Sequence, residues 1–137
     1  GERAVKALSL RDPWAALIAA GVKSIETRSW RTAYRGPLYI HASRAKVDQK
    51  DPHIQRLLSL LPEGSLHPGF VVCRCVLKDC LPMDESFLGW IEGHPVEKLC
   101  GEYAPGRFAW VLEQVEPLEA PVAAKGHLSL WEWEPPP

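Results

Sequence analysis

The octet Gly21-Val22-Lys23-Ser24-Ile25-Glu26-Thr27-Arg28 sets a base, an acid and a second base straight after a short apolar helix, at intervals that suit a strand. A surface helix would scatter such charges around its axis. On a strand, successive side chains alternate between faces, so Ser24, Glu26, Arg28 and Trp30 share one face and Lys23, Ile25 and Thr27 the other. Charges on a barrel strand are costly unless they pair, and Glu26 and Arg28 are spaced to pair side by side. Lys23 stands at the helix-to-strand turn, before the alternation begins, and is still able to reach the side of Glu26 and Arg28.

The helix before the octet has both ends marked. Asp12 is a good N-cap, Pro13 suits the first helical position, and Gly21 suits the left-handed residue that stops the helix. Asp51-Pro52 repeats that start ahead of Ile54, Leu57, Leu58 and Leu61, which have helical spacing. Strands are predicted at 5–10, 23–30, 38–43, 70–77, 107–115 and 127–133, with a turn at Tyr34-Arg35-Gly36-Pro37 and a Pro/Gly loop at 62–69. In the clearest strand Val71, Cys73, Cys75 and Leu77 face one way, and Val72, Arg74, Val76 and Lys78 the other. Residues 81–105 read as short helical or irregular pieces broken by Gly89, Gly93, Pro95 and Pro105. There is no repeat and no βαβ alternation. The predicted class is mainly β with inserted helices (α+β), a small, mostly antiparallel barrel. At 137 residues one domain is expected over 1–137, with 1–4 and 134–137 as flexible ends.

No apolar run approaches the ~20 residues of a membrane helix. The first helix lacks the long apolar core of a secretory leader, so a cytoplasmic location without a membrane partner is expected. Cys73, Cys75, Cys80 and Cys100 lack the paired spacing of a zinc site; they are expected to be buried and reduced, and no metal or other cofactor is expected. The net charge is −1, but its distribution is uneven. Residues 1–46 hold nine Lys/Arg against three Asp/Glu, and residues 47–137 seven against fourteen. Such asymmetry implies a basic face for phosphate or another anion. No P-loop or dinucleotide fingerprint accompanies it.

Several segments, in order along the chain, carry a family resemblance. They are Leu8-Ser9-Leu10-Arg11-Asp12-Pro13-Trp14, the octet as G-x-K-x-x-E-x-R, Tyr34 to Ser43, Gly106-Arg107-Phe108-Ala109-Trp110, and Lys125-Gly126 ahead of Trp131. Together they resemble the ASCH domain family of the PUA-like superfamily, from about residue 7 to 133. The resemblance implies a small PUA-like β-barrel whose cleft is lined by the octet. It also implies a role with RNA, single-stranded nucleic acid or a modified nucleoside, since PUA domains bind RNA. Such families also include ribonucleases and N4-acetylcytidine amidohydrolases, so a hydrolase acting on nucleic acid components is the alternative. A protein-interaction module, using exposed aromatics, is a third. The hydrolytic relatives use a Lys, a Thr and a Glu. Lys23 matches their Lys, Glu26 stands where they carry Thr, and Glu85, Glu97 and Glu102 all compete for their acid.

The expected site is therefore a binding cleft. Lys23 and Arg28 form an anion or nucleobase subsite on its floor, with Glu26 as their orienting partner. In the hydrolase alternative the catalytic pair is Lys23, desolvated and crowded by Arg28 until it acts as base, and Glu26. Arg11, Trp30, Arg107 and Lys125 stand around the rim, and Arg35, Arg44 and Lys46 are phosphate contacts. Trp30 is the better stacking surface for a base; Trp14 is a core anchor or a second platform. His41, with Ser43 on its face, reads as a satisfied histidine of core or cleft, without the nucleophile elbow of a triad. Trp110, Trp131 and Trp133 read as packing residues. Nothing in the sequence sets an oligomeric state.

Overall fold

A computed structural model describes residues 3–137; of the flexible start expected at 1–4, Gly1 and Glu2 lie outside the described residues. The elements run β1 (Val5–Arg11), α1 (Trp14–Ala19), β2 (Ile25–Arg28), β3 (Gly36–Ser43), α2 (Pro52–Leu58), β4 (Phe70–Pro82), α3 (Glu85–Ile91), α4 (Pro95–Leu99), β5 (Phe108–Ala123) and β6 (Leu130–Trp133).

Two of the three helix-end signals form where they were read. Gly21 takes φ 77° just past α1. Asp51 caps α2 by accepting from the backbone N–H groups of His53 and Ile54, with Pro52 in the first turn. The start of α1 is shifted by one: Pro13 is the cap residue, and the Asp12 carboxylate accepts from Ala16 N–H at 3.2 Å and His67 N–H at 3.1 Å. Burial raises the pKa of this carboxyl, and the two backbone donors oppose the rise.

Hydrogen bonds join the six strands into one sheet in the order β2-β5-β4-β3-β1-β6. β1 and β3 run parallel; the other pairs are antiparallel. The architecture is mainly β with inserted helices, as predicted. The sheet curls into an open barrel: Arg28, on the edge strand β2, donates from Nη2 to the Ser9 carbonyl of β1 at 3.1 Å, across four places in the strand order. Inside the curl pack Leu8, Leu10, Leu38, Ile40, Cys73, Cys75, Leu77, Trp110 and Leu112, with Ile18 of α1 closing one side.

Three expectations need correction. Val71 does not share a face with Cys73, because a bulge between them shifts the alternation; Val71 joins Ala7, Trp131 and Trp133, while Val72 enters the main core. β5 runs on to Ala123 instead of ending at 115, its bends absorbed by register shifts and by Gln114 at φ 52°. β6 starts only at Leu130, because Ser129 at φ 58° breaks the extended path, and 127–129 become loop.

All four cysteines are buried and unpaired. Burial pushes the Cys75 thiol up to about 12 and Cys73 in the same direction, so neither is a nucleophile. Among the described residues no helix is long and apolar enough to cross a membrane.

Candidate functional site

The octet is a buried ion network that leads outward. Lys23 is fully buried; its ammonium donates to the carbonyls of Ile25 at 2.7 Å and Cys100 at 2.8 Å, and lies 3.4 Å from Glu26 Oε1. Two carbonyl acceptors and one carboxylate charge thus surround the ammonium, which is what enclosing it requires. Glu26 accepts from Thr27 N–H at 3.1 Å on one oxygen and from Arg28 Nε at 2.9 Å on the other. Glu26 and Arg28 do pair on one face of β2, and both line a cleft. Lys23 does not; it supports Glu26 from behind.

Ser24 leaves that face, because Glu97 of α4 holds it from outside. The Glu97 carboxylate accepts from Ser24 N–H at 2.9 Å, Ser24 Oγ at 2.6 Å and Ile25 N–H at 3.2 Å. Of the three competing acids, Glu97 therefore anchors the start of β2, Glu85 opens α3, and Glu102 lines the cleft. Thr27 Oγ1 accepts from Glu102 N–H at 3.0 Å. Arg107 then clamps the loop: it donates to the carbonyls of Glu102 at 3.0 Å and Thr27 at 3.3 Å, and pairs with the Glu102 carboxylate at 3.3 Å.

The cleft has a volume of about 1140 Å³ and opens between β1, β2, β3, the 100–107 loop and the 123–129 loop. Ser9 and His41 form its inner wall. The ring geometry assigns the His41 tautomer. Nε2 lies 2.8 Å from the Ala124 carbonyl, which only accepts, so Nε2 carries the proton. Nδ1 then accepts from Ser9 Oγ at 2.9 Å, and Ser9 Oγ accepts from Trp131 Nε1 at 3.1 Å. Burial lowers the His41 pKa, with the Ala124 bond opposing, in keeping with a neutral ring. Gly126 lies directly on this pair: a Cβ there would stand 2.6 Å from Ser9 Oγ and 2.7 Å from His41 Cε1. Gly126→Ala is accordingly expected to destabilise the fold by about 1–3 kcal/mol through overpacking, measured by urea unfolding. An unchanged midpoint would mean that the loop simply moves aside.

At the rim the structure brings together Arg11, Arg28, Arg107 and Lys125, joined by Arg44. The Arg11 guanidinium stands 5.5 Å over the Trp14 ring, and both residues line the cleft. Trp30 and Arg35 are elsewhere. β2 ends at Arg28, so the alternation that put Trp30 beside Glu26 does not reach it. Trp30 instead packs edge-on against the fully buried Trp110 at 4.7 Å. Arg35 folds back onto the carbonyls of Thr32 and Tyr34 and reaches Asp79 at 3.4 Å. His53 and His127 also line the cleft and were not singled out in the sequence. His127 follows the Lys125-Gly126 signal directly, whereas nothing in the sequence around α2 points His53 at a ligand.

The electrostatics are one-sided. Glu26 and Glu102 are the acids of the lining, and each is already ion-paired. Among the described residues, Arg11, Arg44 and Lys125 have no ion-pair partner. Nor do the described residues hold any group of three or more His, Cys, Asp or Glu placed to bind a metal ion. The arrangement can take an anion at the rim, while the hydroxyl and imidazole of the Ser9–His41 wall are satisfied from within. The exposed Trp90 of α3, stacked on His94 at 3.9 Å, does not line the cleft.

The human (Homo sapiens) protein Activating signal cointegrator 1 is 37% identical over 81 residues, covering 54% of this chain and 14% of the relative. The mouse (Mus musculus) protein of the same name is 36% identical over 81 residues, with the same coverage. The chain thus corresponds to only 14% of the length of these relatives. The model of the ASCH domain matches residues 8–122, which takes in the second half of β1, the octet, the Glu97 anchor and the Arg107 clamp. With most of its length matched in this way, the chain belongs to the ASCH domain family.

Proposed function

We propose that the cleft binds RNA or another single-stranded nucleic acid, phosphates on Arg11, Arg44 and Lys125 and a base over the Arg11–Trp14 pair. The observation that carries this reading is the charge of the lining: its acids are neutralised from within, and three cations are left over. Unpaired cations around a groove attract phosphate, and a planar guanidinium or indole accepts any base face. Membership of the ASCH family supports the same reading through the resemblance to RNA-binding PUA domains. Lys23 and Glu26 enter as positioning residues. The Lys23 ammonium is spent on internal acceptors and stands outside the cleft lining, which favours binding over turnover.

The test is the salt dependence of binding to a fluorescent single-stranded RNA octamer, followed by anisotropy between ~50 and ~200 mM salt. Three phosphate contacts at about 0.7 each predict a slope of about −2 or steeper for log K against log salt. A flat line, or no binding at the low-salt end, would sink the proposal.

A further inference from the structure

We infer that the cleft continues into a second nucleotide subsite beside α2, so that the ligand is a strand and not a mononucleotide. This rests on the nucleic-acid reading of the cleft. A second cavity of about 770 Å³ lies against the loop before α2 and shares Ser43, Arg44 and Ala45 with the first. Three consecutive residues line both, so the two cavities adjoin, with Arg44 at the junction. Arg44 is held there by close approach to Gly69. A Cβ on Gly69 would lie 2.9 Å from Arg44 Nε and 3.0 Å from Cζ, and Gly69 has φ 90°, a conformation suited to glycine.

The second cavity has the chemistry of a single-strand groove. Its walls include Ile54, Leu58, Leu66 and Pro68, which offer apolar surface to base faces. Lys46 and Lys50 also line it; both are exposed, and neither has an ion-pair partner among the described residues. Its two carboxylates are engaged by backbone donors. Asp12 accepts from Ala16 and His67 N–H, and Asp48 accepts from Lys50 N–H at 2.9 Å. Apolar walls and unpaired cations together suit alternating bases and phosphates.

The experiment compares uridine monophosphate with an oligouridylate octamer, on the full chain and on the Lys46→Ala/Lys50→Ala variant, by competition anisotropy. The octamer is expected to bind far more tightly than the monophosphate. In the variant the ratio of octamer to monophosphate affinity is expected to fall about 25-fold in ~0.1 M salt, and the octamer's salt slope to shrink by about 1.4, for two contacts at ~0.7 each. An octamer that binds no better than the monophosphate, or a ratio that the double substitution leaves unmoved, overturns the second subsite while the cleft reading stands. Binding of neither ligand overturns both.

Discussion

Glu26→Ala is expected to lower the free energy of unfolding by about 3–5 kcal/mol, because it strands a buried ammonium. The Lys23 side chain has no solvent exposure, and Glu26 supplies the only negative charge within salt-bridge distance of it among the described residues. The two carbonyls that remain, of Ile25 and Cys100, satisfy hydrogen bonds but do not neutralise a charge. Arg28 loses its partner in the same step, although its 23% exposed side chain can turn toward water. Against a typical total of about 5–15 kcal/mol, such a loss brings the fold close to its limit. Urea unfolding of wild type, Glu26→Ala, Lys23→Met and the double variant measures the coupling directly. The double variant is expected to be more stable than the sum of the two single losses implies. A Glu26→Ala loss of only about 1 kcal/mol is how an exposed ion pair behaves, and would overturn this account.

The second large effect is on binding. Arg11→Ala/Arg44→Ala/Lys125→Ala is expected to weaken RNA affinity on the order of 100-fold in ~0.1 M salt, through three lost phosphate contacts. All three side chains are exposed, so the fold has little stake in them. Lys78→Ala is the control for net charge, since Lys78 is exposed, pairs with Glu113 on the β4–β5 ribbon and does not line the cleft. Equal affinity of the triple variant and wild type, or an equal loss per charge from Lys78→Ala, would remove the cleft as the site.

What could be read before the structure was local. Asp51-Pro52 and Gly21 act within a few residues of themselves, and each forms as its chemistry dictates. The Glu26–Arg28 pairing needs only the two-residue period of a strand, and it too forms. The readings that failed depend on where an element stops or bends. Trp30 was assigned by extending the β2 period two residues past its end, into a segment that turns toward Trp110. The extent of β5 was hidden because Pro117 and Pro121 look like breakers, while a sheet with register shifts accommodates both. The Ser9–His41 wall, the Glu97 anchor and the Arg107 clamp each join residues at least 32 positions apart, and nothing in their neighbours' identity announces the partner. Arg44, Lys46 and Lys50 show in the sequence only as charge; the cavities they line form only on folding.

Lys23 reaches the carbonyl of Cys100 from 77 residues away. The octet is therefore not a portable motif. Grafted into another barrel, the same eight residues would bring an ammonium inside without the acceptor that the turn after α4 supplies. A related chain that keeps the letters of the octet but loses that turn should be expected to expose its lysine, and to hold Glu26 and Arg28 in some other pose. The segment that can be exchanged between proteins with its geometry intact is the octet together with residues 97–102.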